Sequence, residues 1–212
     1  MKTGERGAPL YRLGRALFRV LFGLYNRWEV SGRGLVPESG SVLLIANHTS
    51  YADPPIVGTA CRRPVHFMAK AELFFFPLGA VISRTHAFPV RRGGVDRAAL
   101  RKAMQLLKEE RVLLMFPEGT RSPDGRLMKL ETGAAVLALS SGAQVVPVGV
   151  DGADRVLPRR WPIPRPARLR VKFGPPVDLD DLRGERSQRE ALEEATRRMD
   201  TAMRQLLPRE RR

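Results

Sequence analysis

Residues 47–54 place an imidazole, His48, and a carboxylate, Asp53, five positions apart along the chain. A carboxylate that contacts a histidine makes it an effective general base at neutral pH, because the carboxylate orients the ring and stabilises its cation. Residues five apart lie on different faces of a regular helix, so this pair meets only where the backbone changes conformation. A buried strand that ends near His48 and a helix that begins near Asp53 satisfy that condition.

Both residues also have an ordinary structural interpretation. Asp53 precedes Pro54 and Pro55, and Asp followed by Pro is a common N-terminal cap of a helix. A histidine that follows a strand is often only a polar loop residue. On spacing alone, the catalytic pair is a hypothesis that the neighbouring segments have to support.

Few other side chains offer comparable chemistry. Of the three histidines, only His48 has an acidic residue within five positions; His66 lies in a predicted strand, and the role of His86 is ambiguous. Cys61 is the one cysteine, which excludes an intramolecular disulfide and a cysteine-based metal site.

A second polar cluster follows the predicted buried strand Val112–Phe116 and contains Glu118, Gly119, Thr120 and Arg121. Ligands of α/β sheets bind at the carboxyl ends of strands, so the two clusters share an edge if their strands are parallel neighbours. Arg121 and the amides of Gly119 and Thr120 suit a phosphate, through forked hydrogen bonds and backbone donors. Alternatively, Glu118 and Arg121 form a local ion pair, and Gly119 only turns the chain.

Two further segments are candidates for contact with a substrate. Residues 88–94 contain a basic cluster, in which Arg92 is able to supply a second phosphate fork. Residues 145–150 are nearly all apolar and form either a core strand or the wall of an acyl-binding slot.

The elements that position these clusters alternate along the chain. Short apolar runs between helical segments predict an α/β domain with a largely buried mixed sheet flanked by helices. The predicted strands are Trp28–Ser31, Ser41–Ala46, Val65–Met68, Ala87–Val90, Val112–Phe116, Gln144–Val150 and Leu169–Phe173. The predicted helices are Pro54–Ala60, Lys70–Phe75, Leu78–Ile82, Val95–Glu109, Thr132–Ser141 and Gln188–Leu207. The highly charged C-terminal tail is expected to fray.

An amphipathic helical segment is predicted at the N-terminus. Its apolar stripe recurs at three- and four-residue steps, at Leu10, Leu13, Leu17, Leu21, Leu24 and Trp28. Arg12, Arg15 and Arg19 follow the same rhythm beside it. Such a helix lies in a membrane interface, with its arginines on lipid phosphates, or packs on the domain core, or does both, with part of the stripe docked and part facing lipid. We divide the chain into a membrane-associating helix at residues 1–30 and an α/β domain at residues 31–212.

The composition narrows the classes of partner. A length of 212 residues suits one domain, and the formal charge is +15, from 37 basic and 22 acidic residues. Such a surplus attracts nucleic acid, anionic lipid or phosphorylated substrates. Nothing resembles a zinc finger, an RNP motif or a basic zipper, so we expect no nucleic-acid partner. No secretory signal is evident, and no stretch reaches the roughly 18 apolar residues of a transmembrane helix.

Four ordered blocks of the sequence resemble those of the glycerolipid acyltransferase family, whose best-known members are the 1-acylglycerol-3-phosphate acyltransferases. His48 to Asp53 matches the first block, His-x4-Asp, and Phe116–Ser122 closely matches the third. Residues 88–92 resemble the second block, and residues 146–148 resemble the fourth. The first and third blocks together are specific, and the four span about half of the chain.

The resemblance implies acyl transfer from a thioester, acyl-CoA or acyl carrier protein, to a glycerol hydroxyl, with no metal and no further cofactor. His48 would take the hydroxyl proton, and Asp53 would hold its tautomer and stabilise its cation. The resemblance assigns the substrate phosphate to five further residues, Arg92, Glu118, Gly119, Thr120 and Arg121.

Lysophosphatidate is the acceptor that the resemblance favours, with phosphatidate as the product in phospholipid biosynthesis. The alternatives are a relative that uses glycerol 3-phosphate, another lysophospholipid or a glycolipid, and a non-enzymatic basic protein that binds anionic membrane or nucleic acid. The His48–Asp53 pair argues against the last, because charge alone does not require it. Because the substrates are lipids, we predict peripheral or monotopic attachment to the cytoplasmic face of an anionic membrane.

Overall fold

One mixed sheet organises the protein. The computed structural model describes residues 8–75, 79, 82–83, 85–91, 94, 96–158, 163–183 and 188–212. Within these ranges, seven strands pair in the order β1-β7-β6-β2-β5-β3-β4. The strands are β1 (Arg27–Ser31), β2 (Val42–Ala46), β3 (Val65–Lys70), β4 (Ala87–Val90), β5 (Val112–Met115), β6 (Gln144–Asp151) and β7 (Arg168–Phe173). The helices are α1 (Ala8–Tyr25), α2 (Asp53–Ala60), α3 (Arg97–Lys108), α4 (Gly133–Ser141), α5 (Ala153–Val156) and α6 (Gln188–Leu206). Short 3-10 turns cover Arg33–Leu35, Ala71–Leu73, Asp180–Leu182 and Arg209–Arg211.

The centre of the sheet is β2, which pairs in parallel with β5 on one side and with β6 on the other. Val42 is opposite Val112 in one register and Gln144 in the other, so the three strands start at the same level. The loops that follow β2 and β5 therefore emerge at one edge of the sheet, as the sequence predicted. The pair β6–β7 is antiparallel, and the other five pairs are parallel. The predicted mixed sheet flanked by helices is confirmed.

Two hydrophobic layers enclose the sheet, because successive residues of a strand face opposite sides. Leu43 and Ile45 of β2 pack with the apolar residues of α3, α4 and α6. Val42, Leu44 and Ala46 pack on the other side, with α1, α2 and α5. All five residues of β2 are completely buried, so truncating Leu43 or Leu44 to Ala is expected to cost about 2–5 kcal/mol of stability.

Local sequence sets the ends of the helices. Asp96 caps α3, since its side chain accepts hydrogen bonds from the amides of Ala98 and Ala99, each at 3.0 Å. Helix α4 ends at Gly142, whose φ of +71° is the left-handed conformation that favours glycine. The Asp96 cap starts α3 two residues later than the predicted Val95, and Gly142 ends α4 at the predicted residue, Ser141.

Helix α1 is docked on one side and uncovered on the other. The Tyr11 hydroxyl accepts a hydrogen bond from the Val65 amide at 3.0 Å, and Phe22 is buried against the sheet. The exposed side carries large apolar residues, which are Leu13, Leu17, Val20, Leu21 and Leu24, between 43% and 86% exposed. Among the described residues, no helix is long and apolar enough to span a membrane.

Several predicted boundaries are wrong. Helix α1 ends at Tyr25, so Trp28, which the predicted helical stripe included, lies instead in β1, within the separately predicted strand Trp28–Ser31. The division of the chain between residues 30 and 31 stays a prediction. The predicted helix at 70–75 is only a 3-10 turn, because Lys70 still pairs with Val90 as the last residue of β3. Most of the helix predicted at 78–82 lies outside the described residues.

Candidate active site

His48 and Asp53 are in direct contact at the carboxyl end of β2. Nδ1 of His48 lies 2.8 Å from Oδ2 of Asp53, which is completely buried. The same oxygen accepts the backbone amides of Thr49 at 2.7 Å and Ser50 at 2.8 Å. These bonds curl the loop back on itself and bring together two residues that no regular helix would join. Because the carboxylate accepts from Nδ1–H, the Nε2 atom of His48 is the nitrogen left to act as a base.

The start of α2 explains how Asp53 turns toward His48. The helix begins at Asp53, and Ala52 occupies the cap position. The Asp53 side chain binds amides that precede the helix, so its interpretation as an ordinary N-terminal cap is wrong. Pro54 and Pro55 follow, and prolines have no N–H that needs a cap. The carboxylate is thus available for the imidazole.

Asn47 fixes the entrance to this loop. Its side-chain nitrogen donates to the carbonyl oxygen of Val150 at 2.8 Å, and its side-chain oxygen accepts the Val150 amide at 2.8 Å. The amide side chain therefore continues the pairing of β2 with β6 by one further step. Sequence reasoning did not assign a role to Asn47, whose partner is 103 residues away.

Glu118 joins the second polar cluster to the first. Its Oε1 accepts the His48 amide at 2.6 Å, and its Oε2 accepts the Met128 amide at 2.9 Å. Both carboxylate oxygens are thus bound to backbone amides, so the predicted alternative of an ion pair between Glu118 and Arg121 is wrong. Glu118 is 5% exposed. Burial raises the pKa of Glu118 to about 7, although the amides of Met128 and His48 act to lower it. A contact between Glu118 and a phosphate stays a prediction.

The backbone of His48 is held on both sides. Its carbonyl oxygen accepts the Ser122 amide at 2.7 Å, while its amide is bound to Glu118. The ring of Phe116 stacks on the imidazole, with centroids 4.1 Å apart and planes 20° apart. Phe116 was assigned only to a predicted strand and a motif, and this contact was not predicted. The stack covers one face of His48 and restricts rotation of its ring.

Arg121 rests on the loop that carries the catalytic pair. Its guanidinium carbon lies 3.7 Å above the centroid of the Tyr51 ring. Stacking on an aromatic face uses none of the guanidinium N–H donors, which stay available for an anion. Tyr51 is 55% exposed, so this part of the site opens to solvent.

The remaining predicted phosphate ligands have different outcomes. Gly119 has a φ of +68°, and its amide donates to the Phe116 carbonyl at 3.1 Å, so this amide turns the chain. Thr120 is exposed next to Arg121, and its role stays a prediction. Arg92 lies outside the described residues.

Val146, Val148 and Val150 are buried in the core, which favours the core-strand interpretation of residues 145–150. In the described part of the chain, no group of three or more His, Cys, Asp or Glu is placed to hold a metal ion.

Comparison with known proteins identifies the family. The family model described as Acyltransferase matches residues 27–151, which include β1 to β6 and both polar clusters. The chain belongs to this acyltransferase family, and the resemblance seen in the sequence is confirmed.

Within the family, the chain is similar to 1-acyl-sn-glycerol-3-phosphate acyltransferases. It is 32% identical to that of Limnanthes alba over 143 residues, which cover 66% of this chain and 51% of the relative. It is 27% identical to that of Streptococcus pneumoniae, over 97% of this chain and 76% of the relative. The crystal structure of the 1-acyl-sn-glycerophosphate acyltransferase PlsC from Thermotoga maritima superposes with a TM-score of 0.74 at 27% identity, covering 94% of this chain and 78% of that one. The chain spans about half the length of the plant relative.

Proposed function

We propose that this protein transfers a fatty acyl group from acyl-CoA or acyl carrier protein to the hydroxyl of 1-acylglycerol 3-phosphate, giving phosphatidate. The observation that carries the proposal is the 2.8 Å contact between His48 and Asp53, at the sheet edge where Arg121 also lies. His48, held by Asp53, is able to take a proton from a hydroxyl, and the Arg121 guanidinium is able to bind a phosphate. The two together suit an acceptor that has both groups. The similarity to named 1-acyl-sn-glycerol-3-phosphate acyltransferases supports the same acceptor.

The reaction follows from the position of the imidazole. Nε2 of His48 removes the proton of the acceptor hydroxyl as its oxygen forms a bond to the thioester carbonyl carbon. Asp53 stabilises the imidazolium that forms. When the tetrahedral intermediate collapses, the carbon–sulfur bond breaks and the leaving thiolate receives the proton from His48. The new ester and the free thiol account for all atoms, and no acyl-enzyme is required.

Arg121 is proposed to bind the acceptor phosphate, with Thr120 beside it. The family resemblance assigns the same phosphate-binding role to three further residues, which are Arg92, Gly119 and Glu118. A guanidinium forms two parallel hydrogen bonds to a phosphate, which fixes the orientation of the acceptor as well as its position. The formal charge of +15 increases the local concentration of an anionic acceptor.

Helix α1 is proposed to lie in the interface of an anionic membrane. Its uncovered apolar side includes Leu17, 64% exposed, and Leu24, 86% exposed, which a lipid surface would cover. Arg12 and Arg19 are exposed on the same helix, where they are able to meet lipid phosphates. Acyl-CoA and acyl carrier protein are donors of the cytoplasm, so we propose peripheral or monotopic attachment to the cytoplasmic face.

A panel of acceptors tests the proposal. Purified protein is incubated with labelled acyl-CoA, or acyl carrier protein, and with lysophosphatidate, glycerol 3-phosphate, lysophosphatidylcholine or a glycolipid, and products are resolved by mass. We expect phosphatidate from lysophosphatidate, and none from the His48→Ala variant. A product from another acceptor alone would replace the proposed substrate. Vesicle binding without any product, equal in both proteins, would instead support a non-enzymatic basic protein.

A further inference from the structure

The charged C-terminal segment does not fray in this structure. After α6, residues 209–211 form a 3-10 turn that returns to the sheet edge of the candidate active site. The Arg211 side chain is only 13% exposed, although the sequence around it is almost entirely charged. A guanidinium is this well covered only when partners satisfy its charge and its donors. The partners of Arg211 therefore indicate what the segment does.

Arg211 forms ion pairs with two carboxylates. Its Nη1 and Nη2 lie 3.0 Å and 3.2 Å from the two oxygens of Asp154 in α5, a forked pair. Its Nε lies 3.6 Å from Asp151, the last residue of β6, whose side chain is 10% exposed. Arg155 and Arg170 also approach Asp151, at 3.1 Å and 3.6 Å. The turn at residues 209–211 is thus attached to the end of β6, the strand that neighbours β2.

The same residue also holds the loop that follows β5. The Arg211 carbonyl accepts the Leu127 amide at 2.9 Å, and Nη1 donates to the Gly125 carbonyl at 3.3 Å. Gly125 has a φ of +80°, and a Cβ there would lie 2.0 Å from Nη1. Only glycine allows the guanidinium this close approach. Leu127, in turn, is buried in the core.

From this loop, a chain of hydrogen bonds leads to the catalytic histidine. The amide of Met128, next to Leu127, donates to Glu118, and Glu118 accepts the amide of His48. The Ser122 amide, in the same loop, donates to the His48 carbonyl. A displacement of the loop would therefore change both backbone contacts of His48.

We propose that Arg211 is a positioning residue for acyl transfer. Its guanidinium holds residues 122–128 against β6, and through Glu118 this loop fixes His48 relative to the acceptor site. The role rests on the proposed function, because it concerns the geometry of that reaction. Misplacement of a reacting group by about 1 Å can cost about a hundredfold in rate. A loop that remains attached at Ser122 moves less, so we expect a decrease in kcat of about tenfold for Arg211→Met.

Activity and folding are separated by a second substitution. Arg211→Met leaves Asp151 and Asp154 with less positive charge nearby, which lowers stability by itself. Adding Asp154→Asn removes one of the two carboxylates that Arg211→Met leaves without its cation. It does not restore the contact between the side chain at position 211 and the loop at Gly125. We expect the double variant to recover part of the lost melting temperature and none of the lost kcat. Arg209→Met, at an exposed position of the same turn, is the matched control and should change neither quantity.

Hydrogen exchange of the full chain supplies a readout that does not depend on the acceptor. In Arg211→Met, the amides of Leu127, Met128 and His48 should exchange faster than in the parent protein, while amides of β2 stay protected. Unchanged exchange at all three positions, or a kcat within twofold of the parent, would overturn the positioning role. An equal decrease in kcat for Arg209→Met would also overturn it. If the parent protein acylates no acceptor, the proposed function fails, and the exchange data still decide whether Arg211 orders the loop.

Discussion

Arg121 stacks on Tyr51, so the side chain proposed to bind phosphate rests on the same loop that carries His48 and Asp53. Tyr51 is three residues from His48 and is held by the loop that Asp53 closes. The distance between the phosphate site and the base is therefore set by one short segment and one ring contact. An acceptor that places its hydroxyl at His48 must also reach this guanidinium with its phosphate.

We predict that Tyr51→Leu weakens acceptor binding and leaves the chemical step intact. Loss of a partly exposed cation–π contact costs about 0.5–1 kcal/mol, so KM for lysophosphatidate should rise about two- to fivefold. Steady-state kinetics with the acceptor varied measure this change, and KM for the acyl donor is the internal reference. Tyr51→Phe keeps the aromatic face and should behave like the parent. If the Phe and Leu variants are equally impaired, the ring does not act through Arg121.

Asp53→Asn should decrease kcat by a factor on the order of 10³–10⁴, because an amide cannot hold the required tautomer of His48 or stabilise its cation. The chemical step is measured by single-turnover acyl transfer. Asp180→Asn is a suitable control, since that side chain is 84% exposed and distant in sequence from the site. Retention of more than a tenth of the parent rate in Asp53→Asn would exclude this role for the carboxylate.

Glu118 should make the protein less stable as the pH rises from about 4.5 to about 7. Burial raises the pKa of Glu118 from 4.5 to about 7, so the folded protein keeps a proton that the unfolded chain releases. Stability relative to Glu118→Gln should fall between pH 4.5 and 7, by about 3 kcal/mol at most, and stay level above that range. Urea unfolding of both proteins across this range measures the difference. A difference independent of pH would show that the pKa of Glu118 is the same in the folded and unfolded protein.

His66 should have the opposite dependence on pH. Burial lowers the pKa of His66 from 6.5 to about 4, and its ring stacks on His86 with centroids 4.7 Å apart. The unfolded chain therefore takes up a proton first as the pH falls from 6.5 to 4, and stability is lost over that range. Unfolding curves of the parent and of His66→Phe should diverge on acidification. Parallel curves would mean that His66 titrates normally in the folded protein.

The uncovered leucines of α1 should control membrane binding. Replacing Leu17 and Leu24 with Gln removes apolar area worth about 1.5 kcal/mol each, so binding to anionic vesicles should weaken at least about tenfold. Sedimentation with vesicles of phosphatidylglycerol and phosphatidylcholine measures this partition. Leu35→Gln, at a position 42% exposed outside α1, is the control. If the α1 variant and this control bind equally, another surface contacts the membrane.

Most of the fold could be predicted, because its signals are local. Each buried strand is a short apolar run, such as Val112–Met115, and the predicted limits of Ala87–Val90 match the structure. The pair His48–Asp53 could also be predicted, since its motif lies within six consecutive residues. The contacts that support the pair could not be predicted, because their partners are distant in sequence. Asn47 binds Val150, and Arg211 binds Gly125, only once the sheet has brought these segments together. The charged tail has no hydrophobic periodicity, so nothing in its own sequence indicated where on the domain it packs.

The central position of β2 has a consequence for biosynthesis. Its partners β5 and β6 begin at Val112 and Gln144, so the five apolar residues from Val42 to Ala46 leave the ribosome long before either neighbour exists. During that interval the nascent chain carries an unpaired, aggregation-prone strand. Asn47 cannot bind its partner until Val150 has emerged. The catalytic loop therefore takes its final form late in translation, and we expect chaperones to protect this segment until then.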